Sequence, residues 1–123
     1  DSVIKNLAKT AYIVVKDTVN QKNITIPENE IIYAQADNIY AEVVTAQGIF
    51  LYSNKISLLV KKLNEEYFYR SNRSYIVNFN YIIGYSKKEI EFSNGQKALI
   101  SSSKFKDFKS KYLNYLKRKS IGE

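Results

Sequence analysis

Residues 30–53 read EIIYAQADNIYAEVVTAQGIFLYS, and their pattern decides the fold class. β-branched and aromatic residues gather in three runs of strand length, Glu30 to Ala36, Ile39 to Thr45 and Ile49 to Ser53. Such side chains suit a pleated, half-buried surface. Between the runs lie Asp37-Asn38, a pair that tolerates left-handed backbone angles, and Gln47-Gly48. The spacing predicts three consecutive strands joined by tight turns.

The flanking sequence continues the pattern. Ala11 to Lys16 and Asn23 to Ile26 surround the polar turn Asp17 to Lys22 and predict a hairpin, which Pro27 is expected to end because it has no N–H to donate. Downstream, Ser53 or Asn54 offers a helix cap, and Ile56, Leu59, Val60 and Leu63 recur at helical spacing. Lys55, Lys61, Lys62 and Glu65 lie on the opposite side, so the expectation is one amphipathic helix of about three turns. Tyr67 to Arg70 and Ser74 to Asn78 read as extended segments around Ser71-Asn72-Arg73, a polar cluster with no evident packing reason. Tyr81 to Tyr85, Glu89 to Phe92 and Lys97 to Ile100 are further strands. Asn94-Gly95 between the last two predicts a two-residue hairpin in which both turn residues have positive φ. Ser101-Ser102-Ser103 then reads as a cap cluster for a C-terminal helix marked by Phe105, Phe108, Tyr112 and Leu116, with Lys117, Arg118 and Lys119 fraying into a basic tail. Across the chain Ile, Val, Thr, Tyr and Phe total 44 against 7 Ala, which favours a mainly β protein.

A chain of 123 residues has the length of one domain. Residues 11–116 are expected to form it, with residues 1–10 a remnant of an upstream linker and 117–123 the basic tail. The lack of methionine, even at position 1, is expected of a piece of a longer protein or of a processed product. No apolar run approaches the roughly 20 residues that span a bilayer, no signal-peptide pattern opens the chain, and a cytoplasmic location is expected, with no cysteine to need an oxidising compartment.

The composition also removes most chemistry. With no cysteine and no histidine, thiolate nucleophiles, Ser-His-Asp triads, imidazole bases and Cys/His zinc sites are excluded. Ser101 to Lys104 formally fits S-x-x-K, but its companion motifs are missing and capping explains the serines. Glu89 and Glu91 alternate with Ile90 and Phe92 as an exposed strand face, and Glu65-Glu66 are solvated charges near a helix end. The four glycines form no phosphate loop. No enzyme and no cofactor are expected.

Charge points elsewhere. The net charge is +7, and it is uneven: −1 over residues 1–60, +3 over 61–100 and +5 over 101–123. A one-sided positive field suits a polyanion. Sixteen of the nineteen basic residues are lysine, so Arg70 and Arg73 stand out. Arginine is favoured where a planar fork meets phosphate or guanine bidentately. The competing reading pairs Arg70 or Arg73 with Glu65, Glu66 or another carboxylate. The second cluster, Ser101 to Lys106, combines hydroxyls, ammonium groups and helix-start amides suited to phosphate. Tyr12, Tyr33, Tyr75, Tyr85 and Tyr112 read as half-buried sheet residues, whereas Tyr40 near a turn stays open as a stacking residue.

Residues 68–78, Phe-Tyr-Arg-Ser-Asn-Arg-Ser-Tyr-Ile-Val-Asn, resemble the F-x-R-x-x-R-S-Y-I-V-N signature of LytTR DNA-binding domains. Ile31 to Ala36 is similar to that family's I-L-Y-I-E-A strand. Ser93 to Gln96 and Ser101 to Phe105 resemble its hairpin and final S-R-R-Y segment, so the likeness covers roughly residues 12–112. The resemblance implies elongated, stacked antiparallel β-sheets with one short amphipathic helix in the middle and one C-terminal helix. It also implies the output role of a bacterial two-component response regulator, behind an upstream receiver domain, gripping double-stranded promoter DNA with loops. Paired DNA repeats, and room for a dimer on DNA, belong to the same expectation. Carried over, Arg73, Asn72, Ala41, Ser103 and Lys104 would touch bases, and Arg70, Ser74, Ser101, Lys106, Asn38 and Tyr40 would hold phosphates. Where the family often has arginine this chain has Ser103, so either Lys104 reaches over instead or that base contact is lost, and Ala41 has no hydrogen-bonding side chain. The alternatives from composition are a β-rich protein-interaction domain and a single-stranded nucleic acid or RNA binder.

Overall fold

The computed structural model describes residues 11–122. The expected linker at residues 1–10 lies outside them. Among the described residues, ten strands form two antiparallel sheets. The larger is built from β1 (Tyr12–Asp17), β2 (Lys22–Pro27), β3 (Ile31–Asp37), β4 (Tyr40–Thr45), β5 (Gly48–Tyr52), β6 (Phe68–Asn72) and β7 (Tyr75–Asn78), in the order β2-β1-β5-β4-β3-β7-β6. The smaller contains β8 (Ile82–Tyr85), β9 (Glu89–Phe92) and β10 (Lys97–Leu99) in the order β10-β9-β8. Two helices, α1 (Ile56–Lys62) and α2 (Phe105–Gly122), complete the fold.

Strand alternation sends side chains to two cores, one on each face of the large sheet. On one face Ile13, Val15, Ala34, Val43 and Ile76 pack with Ile56, Leu59 and Leu63 from α1 and its end. On the other, Tyr33, Val44 and Val77 meet Ile90, Phe92 and Ala98 of the small sheet and Phe108, Tyr112 and Tyr115 of α2. The second core is rich in rings: Tyr33 stacks on Phe92 at 5.0 Å, and Phe79 lies 5.5 Å from Tyr112 and 6.0 Å from Phe108. The layers are therefore α1, the large sheet, and then the small sheet with α2.

The predicted elements are present, with local corrections. Pro27 is the last residue of β2 and lies opposite Tyr12, where the next N–H, from Glu28, reaches Ala11. Helix α1 is seven residues, shorter than its apolar periodicity implied, and neither Ser53 nor Asn54 caps it: Lys55 occupies that position without a side-chain bond. Leu63 keeps its place in the core from an extended backbone. At the last hairpin only Gly95 has positive φ (87°). Asn94 instead accepts the Gln96 N–H through its side chain, so the turn holds three residues. Lys117, Arg118 and Lys119 sit on α2, which is helical to Gly122, and do not fray into a tail. No side chain of the serine cluster caps Ser102–Lys104, a 3-10 turn that leads into α2. Tyr12 is mostly exposed, unlike the half-buried position expected of it.

Candidate nucleic-acid interface

Three polar segments meet at one end of the sheets. The first is the β3–β4 turn, where Asn38 adopts φ 61°, a left-handed conformation, and Asp37 pairs with Tyr40. Asn38 and Tyr40 are exposed beside it. Ala41, expected at a base, is fully buried in the core against α1. Alternation puts its methyl group inward, out of reach of any base.

The second segment is the β6–β7 turn. It adjoins the first because β3 pairs with β7 through Gln35 and Tyr75, and the Ala36 N–H donates to the Ser74 carbonyl at 2.8 Å. Ser71 and Asn72, read as having no packing role, both have one. Ser71 is fully buried and its hydroxyl donates to the Leu99 carbonyl at 2.8 Å. The Asn72 side-chain oxygen accepts the Ser74 N–H at 2.9 Å, a turn-forming bond that asparagine makes readily. Arg73 is exposed at the apex. Arg70 is half-buried, and its Nη2 donates to the Arg73 carbonyl at 2.6 Å. Neither arginine forms an ion pair with Glu65 or Glu66 among the described residues.

The third segment runs from Ser101 to Lys106. Its start is fixed to the second by the Ser101 N–H, which donates to the Ser71 carbonyl at 2.8 Å. Ser103, Lys104 and Lys106 are exposed, and Ser101 and Ser74 are half-buried. Sequence reasoning missed the platform beneath it. The Tyr69 hydroxyl donates to Asp107 at 2.8 Å, and the ammonium groups of Lys104 and Lys111 lie 5.8 and 5.6 Å from its ring centre. Lys111 also pairs with Asp107 at 3.5 Å. Burial, then the bond to the Asp107 carboxylate, pushes the Tyr69 hydroxyl above its ordinary value. The same bond, assisted by Lys111, holds Asp107 below the usual carboxylate range. The signal available was Tyr69 next to Arg70 in the signature, but no local pattern places Asp107 opposite it.

Away from this end, the buried Glu28 carboxylate accepts from the Asn64 N–H and the Tyr67 hydroxyl, each at 2.9 Å, and anchors the segment entering β6. No group of three or more metal-ligand side chains is present among the described residues, and no helix there is long and apolar enough to cross a membrane.

Comparison with known proteins agrees with the architecture. The chain matches the family model of the LytTr DNA-binding domain over residues 21–113. It is similar to a solved LytTr DNA-binding domain of a methyl-accepting/DNA response regulator from Bacillus cereus, with a TM-score of 0.71 and 21% identity. That likeness covers 84% of this chain and 96% of the other. A search of curated proteins gives no match. A family match over most of the chain, on a fold of stacked antiparallel sheets, places this protein in the LytTR DNA-binding domain family.

Proposed function

We propose that the domain binds double-stranded DNA sequence-specifically, as the cytoplasmic output domain of a bacterial response regulator whose receiver lies upstream. The observation that carries this reading is the junction of three polar segments, Asn38 to Tyr40, Asn72-Arg73 and Ser101 to Lys106, with Arg73, Lys104 and Lys106 exposed at one end of the double sheet. Arg73 and Asn72 are the base readers, together with Ser103 and Lys104. Lys106, Ser101, Ser74, Asn38 and Tyr40 hold phosphates, which fix position without reading sequence. Promoter sites arranged as paired repeats, occupied by two copies, fit a domain this small.

Selection of binding sites from random duplexes, repeated at two salt concentrations, tests the proposal. An enriched duplex motif with affinity that falls as salt rises is the expected result. Absence of binding near physiological salt would favour a protein-interaction domain, and preference for single strands would favour an RNA or single-strand binder.

A further inference from the structure

Arg70 carries the sequence expectation of a phosphate contact, yet its surroundings describe another task. One arm of its guanidinium donates to the Arg73 carbonyl at 2.6 Å. Its Nε is closed off from solvent with no acceptor in reach among the described residues. With Nε sealed and Nη2 engaged at the carbonyl, the side-on pair of parallel donors is withdrawn from any phosphate, and only the Nη1 hydrogens and one of Nη2 remain. The bond instead spans the turn, with its donor before the apex and its acceptor at the apex.

The pairing of β6 with β7 shifts register between Tyr69 and Asn72 and resumes with Asn72 opposite Tyr75, so a single ladder pair beyond the shift carries the apex. Three bonds supply what the ladder lacks: Arg70 to Arg73, Ser74 to Asn72, and Ala36 to Ser74. We infer that Arg70 is a positioning residue, fixing the direction in which the Arg73 side chain leaves the β6–β7 turn and itself touching no phosphate. Its effect on DNA rests on the function proposed above; the strut does not.

The test compares the wild-type domain, Arg70→Ala, Arg70→Met, Arg73→Ala and the Arg70→Met/Arg73→Ala double variant. Arg70→Met keeps the packed stem and removes the donor, so it carries the test if the alanine variant fails to fold. Affinities for a duplex enriched from the random pool and for a scrambled duplex are measured across a salt series. Arg70→Met is expected to lower preference for the enriched duplex about tenfold, the scale of one lost bidentate base contact. The slope of log K against log salt should stay unchanged, and no further loss should appear in the Arg73→Ala background. A slope reduced by about 0.9 with equal weakening on both duplexes would identify a phosphate contact and overturn the inference. Unchanged preference would overturn it as well. Amide exchange in the free protein reads the strut without DNA: Arg70→Met should speed exchange at Ser74, whose N–H is bonded to the Asn72 side chain, while β3 and β4 keep their protection. If wild type selects no duplex, the DNA reading fails while exchange still decides the strut, and unaltered exchange removes it.

Discussion

Arg73 projects from a turn whose backbone is held on both sides, so its guanidinium is the exposed, directed member of the arginine pair. Replacing it with alanine is expected to remove about 1–3 kcal/mol of discrimination between enriched and scrambled duplexes, read as a ratio of dissociation constants. Lys106→Ala should weaken both duplexes alike and lower the salt slope by about 0.9. A titration prediction belongs to Tyr69. Its folded hydroxyl titrates above the ordinary 10.0, so the unfolded chain loses that proton first as pH rises. The stabilisation is complete below pH 10 and declines as pH climbs toward the folded value. Tyr69→Phe should therefore flatten the alkaline fall in melting temperature. Asp107 works in the opposite direction: its contribution is full above its ordinary 3.8 and fades as acid protonates it in the folded state. The arginines could be picked out in the sequence because they interrupt a lysine-rich composition. The opposed fates of their side chains could not, since these depend on a hydrogen bond that closes only after the turn forms.

Among the elements, strands were the most legible. Alternation between Glu30 and Ser53 predicts β3, β4 and β5 to within a residue or two of their ends. Helix α1 was less so: the apolar spacing that suggested three turns includes Leu63, which reaches the same core from extended backbone. The sequence also could not tell that Ser71 belongs to the interior, because its partner carbonyl is 28 residues away on the other sheet. Ser71→Ala should cost about 1–3 kcal/mol in urea unfolding, the scale for stranding a carbonyl that has lost its donor. Because the Ser101 bond to Ser71 is made by backbone, it survives this change, and binding should suffer less than stability. In α2, Phe108 is fully enclosed among Tyr69, Phe79, Tyr85 and Tyr112. Phe108→Ala should lower stability by about 3–5 kcal/mol, measured the same way.

At the scale of the whole molecule, helix α2 spreads the C-terminal charge along its length, so that Arg118 reaches the Glu66 carbonyl far from the turns while Lys104 and Lys106 stay at its start. The tie of Ser101 to Ser71 brings Lys104 and Lys106 beside a turn from the middle of the chain. Which residues would share that end was only partly visible from the sequence. The turn signals at Asn38 and at Arg73 were readable one by one. Their adjacency follows from the strand order, in which β3 lies between β4 and β7. The buried Ala41 shows the limit of transfer by position, since a residue next to an exposed turn can belong wholly to the core.

The tie between Ser71 on β6 and Ser101 just beyond β10 runs through main-chain atoms, so the spacing of the two segments does not depend on a side-chain rotamer. On the proposed reading the domain behaves as a ruler of fixed length laid along the duplex. Inserting one base pair between two recognised positions moves the second by about 3.4 Å along the axis, a step the protein cannot follow. Any adjustment must come from curvature or twist of the nucleic acid, so sites should differ in affinity through the stiffness of bases that no side chain reaches.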